Sequence, residues 1–308
     1  MAGDAKRQAG IALVVVMWAL LLLATIAAAV TAVHRTETAL SGNLVDQVRG
    51  RALAEAGVYY AISRLLSDGT LPESERFPVD GSLQSWSFNG LELRISVSGE
   101  SGRVDLNAAQ PELLKRLLEA AGTDPDQADA LTGAILDWRD TNSDTQANGA
   151  EDPDYRAAGM IYGAKDQPFS SVEELRQVLG MTPELYRTLA PALTVYSRRS
   201  TVNPIFAPRL VLLAVLELPE AQIDEYLDAK ARGEADTGEL LPTGAGSQLV
   251  QQGGDTVHRI HVEVPVRENQ PFALESVAQI GRHSFQILAW ELSLPVSERK
   301  PQDSGAEP

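Results

Sequence analysis

The chain has 308 residues and a mass of 33.1 kDa, with 44% apolar and 22% charged residues, which excludes disorder throughout. It contains no cysteine, which excludes a disulfide framework, a thiol nucleophile and a cysteine metal site. Its 42 acidic residues against 26 basic ones give a formal net charge of −16, which disfavours nucleic-acid binding.

The N-terminal region predicts a membrane-spanning helix. Residues 11–33 carry no charge, and as a helix rising ~1.5 Å per residue they reach about 35 Å, enough to cross a hydrocarbon core. Lys6 and Arg7 precede the run, which places the N-terminus in the cytoplasm. A cleaved signal peptide ending at Ala27–Ala29 is the alternative, but the apolar run is longer than that of a typical signal.

The helical pattern continues beyond the apolar run. Apolar and small residues recur every four positions at Leu40, Leu44, Val48 and Ala52, and similar residues flank them. The spacing predicts one helix from residue 11 to 66, apolar in its first half and amphipathic in its second. A signal peptide does not continue in this way.

The junction before the apolar run resembles a prepilin-peptidase site, because a short basic leader ends at Gly10 and the mature chain would begin at Ile11. Pilin-like proteins usually carry Glu at the fifth mature position, where this chain has Val15. A carboxylate in lipid needs a partner, and in pilins it is the N-terminal ammonium of the neighbouring subunit. A subunit with valine there fits best as the first one, at the tip of a filament; an ordinary membrane anchor is the alternative.

Strand patterns follow the helix and return near the C-terminus. Residues 86–88 and 91–97 alternate around Asn89-Gly90, which predicts a β-hairpin with a two-residue turn. Residues 260–266 and 284–294 are further strand candidates, and Pro265 suggests an edge strand. The predicted fold is therefore α+β: a pilin-like long helix plus an antiparallel sheet, interrupted by a large all-α insert.

The insert contains two similar helix-turn-helix units, at residues 104–139 and 202–232, offset by 98 positions. They resemble helix-hairpin-helix modules, some of which bind DNA. Both turns here are acidic and lack Gly-x-Gly, so protein packing is favoured over DNA contact. The predicted organisation is a leader (1–10), a transmembrane segment (11–33), the pilin-like helix and first strands (34–100), the insert (101–235), a loop with the closing strands (236–296) and a disordered tail (297–308).

An acidic run in the insert is a candidate metal site. Residues 137–154 hold six carboxylates against one arginine. Asp140, Asn142, Asp144 and Glu151 stand at positions 1, 3, 5 and 12 of an EF-hand-like calcium loop, although position 6 is Thr145 instead of glycine. A solvated acidic loop is the alternative. No P-loop, Gly-x-Ser-x-Gly or His-Glu-x-x-His motif is present, so we expect no enzyme activity.

These features together resemble the family of general secretion pathway protein K, the minor pseudopilin K of type II secretion. The most specific pieces are the acidic run from Asp137 to Tyr155 and the run from Pro168-Phe169 to Gly180-Met181. The resemblance implies calcium bound in the insert. The candidate ligands carried onto this chain are Asp140, Asn142, Asp144, Glu151, Asp152 and Asp154.

The same resemblance implies an inner-membrane protein with a periplasmic body, processed and N-methylated by prepilin peptidase. Its expected partners are minor pseudopilins I and J, with which it would cap the pseudopilus and support the export of folded proteins. A minor pilin of a type IV pilus and a membrane-anchored helix-hairpin-helix DNA-binding protein are the alternatives. The acidic run and the helical insert argue against both.

Overall fold

The computed structural model describes residues 5–67, 71–72, 75–216, 218–231, 248–251, 253–267, 270–293 and 295. Its helices are α1 (Ala5–Ser67), α2 (Pro111–Ala120), α3 (Pro125–Arg139), α4 (Asp152–Ala157), α5 (Pro183–Leu189), α6 (Arg209–Val215) and α7 (Glu220–Ala231). Its strands are β1 (Gln84–Phe88), β2 (Leu91–Gly99), β3 (Val104–Asp105), β4 (Leu193–Thr194), β5 (Val257–Arg267), β6 (Gln270–Ile280) and β7 (Phe285–Ser293).

Helix α1 is one continuous element of 63 residues, which confirms the predicted long helix and extends it at both ends, from Ala5 to Ser67. Its C-terminal third lies against the sheet, where Ala54, Val58 and Ile62 are buried. Gly57 allows the close approach, because a Cβ atom there would lie 2.7 Å from a methyl carbon of Val262. Small residues on one helix face therefore set the distance between helix and sheet.

The sheet has five antiparallel strands in the order β1-β2-β5-β6-β7. The predicted hairpin is confirmed: Phe88 pairs with Leu91, and Asn89 and Gly90 both have positive φ, as a type I′ turn requires. Helix α1 and one face of this sheet enclose an apolar core. The architecture is the predicted α+β combination of a long helix and an antiparallel sheet.

The prediction that Pro265 marks an edge strand is wrong. Its strand, β5, lies between β2 and β6 near the middle of the sheet. The pairing of β2 ends at Glu263, and the register to β6 shifts between Val264 and Arg267. Pro265 therefore lies in an irregularity beyond the regular ladder, where a missing N–H costs little.

The predicted strands do not include β6, which pairs with β5 from Gln270 to Gln279 and with β7 from Ala273 to Ile280. Its sequence, QPFALESVAQI, contains Leu, Ala, Glu and Gln and lacks strict alternation. Neighbouring strands on both sides satisfy its backbone, so pairing overrides its weak strand propensity.

The chain between β2 and β5 forms a second apolar core. Both predicted helical pairs are present, α2 with α3 and α6 with α7, and α2 also packs against α6. A two-residue parallel pairing of β3 with β4 is a small addition to the helical insert. Leu249, in the segment that leads back to the sheet, is buried in this same core.

Some predictions fall on residues that the structure does not describe. The tail predicted to be disordered (297–308) lies outside the described residues. Residues 232–247, at the end of the predicted insert and in the predicted loop, do so as well. The side chains of residues 5–12, 30 and 32–41 of α1 also lie outside the description. Among the residues that are described, no helix meets the length and apolarity needed to cross a membrane.

Candidate metal centre

The acidic run forms the connection between two helices of the insert. Helix α3 ends at Arg139 and α4 begins at Asp152, so residues 140–151 are the loop between them. Trp138 and Tyr155 are both buried, and their ring centroids lie 5.9 Å apart. This aromatic contact holds the end of α3 beside α4 and brings the two ends of the loop together.

Three carboxylates in this region each have a buried oxygen without a hydrogen-bond partner. These atoms are Oδ2 of Asp137, Oε1 of Glu151 and Oδ1 of Asp166. Asp137 and Glu151 are only 0% and 2% exposed. The other oxygen of Asp137 accepts the N–H of Gln146 at 3.0 Å. Buried carboxylate oxygens without donors are costly, so the arrangement has unused capacity to bind a cation.

The electrostatics agree with this geometry. Burial, and then the negative charges of Asp166, Asp137 and Asp140, raise the pKa of Glu151 to about 7. Burial also raises the pKa of Asp137, against the hydrogen bonds that it accepts from the backbone. The negative charges of Asp137, Asp140, Glu151 and Asp166 thus repel one another, and a bound cation would relieve this repulsion.

Two glycines allow the chain to approach these carboxylates closely. A Cβ atom on Gly149 would lie 2.0 Å from Oδ2 of Asp137. A Cβ atom on Gly163 would lie 1.6 Å from Oδ1 of Asp152. A larger residue at position 149 would displace the carboxylate of Asp137, and one at position 163 would displace that of Asp152, at the start of α4.

Two of the first three predicted ligands, Asp140 and Asn142, use their side chains for local turns. Oδ1 of Asp140 accepts the N–H of Asn142 at 3.1 Å, and Oδ1 of Asn142 accepts the N–H of Asp144 at 2.8 Å. Asn142 and Asp144 are exposed, whereas Asp140 is half-buried. The negative charge of Asp140 contributes to the raised pKa of Glu151. The side chains of Asp140 and Asn142 therefore shape the loop through Asx turns.

The last three predicted ligands lie at the start of α4. Asp154 accepts the N–H of Glu151 at 3.0 Å, which caps the helix. Asp152 forms an exposed ion pair with Arg156 at 2.9 Å. Of the six predicted ligands, Glu151 is buried and Asp140 is half-buried. The other four, Asn142, Asp144, Asp152 and Asp154, lie at the surface.

Within the described part of the chain, no three acidic or histidine side chains are close enough together to form a ready-made metal shell. The donor chemistry nevertheless fits a hard cation, because Asp137, Glu151 and Asp166 each contribute one buried carboxylate oxygen without a hydrogen-bond partner. Sequence spacing missed Asp166, which follows a chain reversal and has positive φ at 53°. Asp137 belongs to the acidic run, but it lies one helical turn before Asp140, the first position of the predicted calcium loop, and so was not among the predicted ligands.

Helix α1 carries the residues predicted to act in processing and assembly. Gly10 and Ile11 lie within its helical backbone, and their side chains are outside the described set. Val15 is on the same helix and is 60% exposed. An apolar side chain that faces out from an apolar helix is suited to contact lipid or another apolar helix.

A long helix packed on an antiparallel sheet, with a helical insert between the second strand and the rest of the sheet, defines a pseudopilin with an additional helical domain. Residues 88–198 match the family model described as type II secretion system (T2SS), protein K. The chain belongs to the type II secretion system protein K family, because relatives of that name are 30% identical to it over about three quarters of their length.

Two relatives show the extent of this similarity. The type II secretion system protein K of Pectobacterium carotovorum subsp. carotovorum is 30% identical over 251 residues, which cover 74% of this chain and 76% of the relative. The protein of the same name from Klebsiella pneumoniae is 30% identical over 247 residues, covering 73% and 76%.

The fold also matches a solved structure, the GspK–GspI–GspJ complex of the enterotoxigenic Escherichia coli type 2 secretion system. The TM-score is 0.63 at 16% sequence identity, and the match covers 82% of this chain and 99% of the other. At this identity the comparison confirms the predicted fold class.

Proposed function

We propose that this chain is the minor pseudopilin at the tip of a periplasmic pseudopilus, where it joins minor pseudopilins I and J and initiates assembly. Membership of the protein K family carries this proposal, and the solved relative was obtained in complex with GspI and GspJ. The role is structural: the subunit nucleates a filament that supports the export of folded proteins.

Two features of the chain support a position at the end of the filament. The insert adds a second apolar core between β2 and β5, so the body is much larger than a helix and sheet alone. Such a body would obstruct repeated stacking along a filament. Val15 removes the carboxylate that would neutralise an earlier subunit's N-terminus, so this subunit has no need of a predecessor.

Labelling of sheared pseudopili tests the tip position. Gold-labelled antibody against the insert should mark one end of each filament, while antibody against the major pseudopilin marks its whole length. Label from the insert antibody at regular intervals along the filament would contradict the proposal.

We further propose that residues 11–33 anchor the protein in the inner membrane, with a short cytoplasmic N-terminus and a periplasmic body. Prepilin peptidase would cut between Gly10 and Ile11 and methylate the new N-terminus. Mass spectrometry of the purified membrane protein should find a methylated N-terminal Ile11. A Gly10→Leu variant serves as the control and should keep the leader; a wild-type chain that starts elsewhere would refute the site.

We propose calcium as a structural ion in the insert. Glu151 and Asp140, from the predicted set, would hold it together with Asp137 and Asp166, whose buried oxygens lack partners. Calcium prefers carboxylate and other oxygen ligands, and it would neutralise charges that now repel one another. Its function would be to fix the loop between α3 and α4.

Calorimetry on the full chain in detergent tests this site. Calcium should bind the wild-type protein, and Asp137→Asn with Glu151→Gln should abolish the uptake because both replacements remove a ligand charge at nearly constant shape. Asp126→Asn, an exposed change on α3, should bind as the wild type does. Equal uptake by the double variant and the wild type would exclude these ligands.

A further inference from the structure

A pocket of about 210 Å³, which shares no lining residue with the acidic run, lies between the last turns of α1, the segment before β1 and the β1–β2 hairpin. Its walls include Tyr60, Phe77 and Trp86. The Tyr60 and Trp86 rings stack with centroids 4.2 Å apart, and Phe77 meets Tyr60 edge-on at 6.4 Å. Ile95 is also in the lining and is fully buried. One wall of the pocket is thus formed by packed aromatic and aliphatic side chains.

Two arginines line the same pocket. Nη2 of Arg64 donates to the carbonyl oxygen of Glu75 at 2.8 Å, but its Nε is buried and has no hydrogen-bond partner. Arg76 adds a second guanidinium. Among the described residues, no carboxylate side chain lines the pocket and neither arginine forms an ion pair. Nε of Arg76 donates to the carbonyl oxygen of Leu71 at 3.3 Å. The described lining therefore carries two guanidinium charges, in a chain whose net charge is −16.

An unpartnered guanidinium N–H next to apolar walls selects a ligand that carries both an anionic acceptor and an apolar group. Guanidinium groups bind carboxylates through paired N–H donors. A pocket of 210 Å³ is smaller than the roughly 300–1,000 Å³ of sites for drug-sized ligands. It has room for one amino-acid side chain with an adjoining carboxylate.

The edge of the sheet indicates where such a group would come from. Strand β1 pairs with β2 and is the outermost strand of the described sheet. Gln84 and Ser85 of this strand also line the pocket. An extended polypeptide that pairs with the open edge of β1 would therefore carry its end toward the arginines.

We propose that this pocket binds the C-terminal carboxylate and the apolar last side chain of an extended polypeptide that pairs with β1. The placement of Arg64 and Arg76 beside the aromatic wall, next to a strand that pairs on one side only among the described residues, carries the inference. It is independent of the calcium site and of the position of the subunit in a filament.

Peptide binding to the full chain in detergent tests the proposal. The probe is acetyl-Ala-Thr-Ala-Phe with a free C-terminus, and the comparison peptide ends in a C-terminal amide. We expect the acid to bind at least about tenfold more tightly than the amide by calorimetry, since the amide lacks the charge that the guanidinium groups bind. Arg64→Gln and Arg76→Gln should each weaken binding of the acid by a similar factor.

Arg51→Gln is the matched control, because Arg51 is exposed on the same helix and is paired with Glu55. It should bind the acid as the wild type does. If circular dichroism shows that Arg64→Gln is unfolded, Arg76→Gln provides the second variant, because Arg76 is exposed. The proposal is overturned if the acid does not bind, if acid and amide bind equally, or if folded arginine variants retain full affinity. Equally tight binding of acetyl-phenylalanine would overturn the role of the β1 edge.

Discussion

Gly102 illustrates how one residue controls the join between the sheet and the insert. It lies in the buried turn after β2, and a Cβ atom there would be 2.2 Å from the backbone carbon and oxygen of Phe206. Backbone atoms cannot move aside as a flexible side chain can. The turn therefore requires glycine because of close approach, and its φ is not in the positive range.

We predict that Gly102→Ala lowers the free energy of unfolding by about 1–3 kcal/mol, the usual cost of forcing an extra carbon into a packed site. Urea unfolding of the full chain in detergent, followed by tryptophan fluorescence, measures the change. Gly254→Ala is the control, since no atom lies within 4 Å of its Cβ position; its effect should stay within about 0.5 kcal/mol. Equal stability of the two variants would contradict the packing argument.

At the scale of elements, a buried charge cluster connects the insert to the sheet. Glu100, in the turn after β2, is fully buried and accepts hydrogen bonds from Arg259 of β5 at 2.7 and 3.0 Å and from Thr194 of β4 at 2.6 Å. Arg103 adds a further ion pair at 3.0 Å. On the sheet, Arg259 also binds Glu275 of β6. One arginine thereby joins three separate segments.

The pKa values of both carboxyl groups reflect this pairing. Burial alone would raise the pKa of Glu100, but the charges of Arg103 and Arg259 outweigh it and hold the pKa below the ordinary 4.5. Burial would likewise raise the pKa of Glu275, but a hydrogen bond with His261 and the charge of Arg259 hold it far below its ordinary range. Because both pKa values are depressed in the folded state, the stabilisation is present above pH 4.5 and is lost as the pH falls below it.

We predict that Glu100→Gln destabilises the protein by about 3–5 kcal/mol at pH 7, since it leaves two buried guanidinium groups short of a partner. The difference from the wild type should narrow steadily below pH 4.5, because there the Glu100 carboxyl of the unfolded wild-type chain takes up a proton that the folded chain does not bind. Urea unfolding at pH 7 and at pH 3.5 measures both values. Exposed Glu119→Gln is the control; a difference that is constant with pH would refute the charge-pairing account.

At the scale of the whole molecule, α1 is covered along only part of its length. Its C-terminal turns bury Ala54, Val58 and Ile62 against the sheet. Closer to the N-terminus, Leu44, Val45 and Val48 are exposed on the same helix. An apolar helix face of this kind is suited to pack against the helices of partner subunits.

We predict that Leu44→Asp with Val48→Asp abolishes co-purification with pseudopilins I and J, because two charges would be buried in a helix–helix contact without partners. Ile161→Asp provides a matched control, since Ile161 is a fully exposed apolar residue in the insert. That variant should co-purify normally. Retention of both partners by the double variant would show that this part of α1 does not form the contact.

Local patterns predicted the elements whose conformation depends on neighbouring residues. The uncharged run and the four-residue spacing from Leu40 to Ala52 predicted α1, and Asn89-Gly90 predicted the hairpin turn. These signals are strong because the side chains that set the backbone are adjacent in sequence. Strand β6 and the central position of β5 were missed because they depend on pairing between distant segments.

The candidate site divides in the same way. The sequence by itself determined that carboxylates are concentrated between residues 137 and 154, and that residue 15 is valine, where the resemblance to pilin-like proteins implies glutamate. Only the tertiary structure decided that Asp137, Glu151 and Asp166 have buried, unpaired oxygens while Asn142 and Asp144 face solvent. Burial and the repulsion between like charges arise from how α3, α4 and the following loop pack in three dimensions, and linear spacing carries no record of that packing.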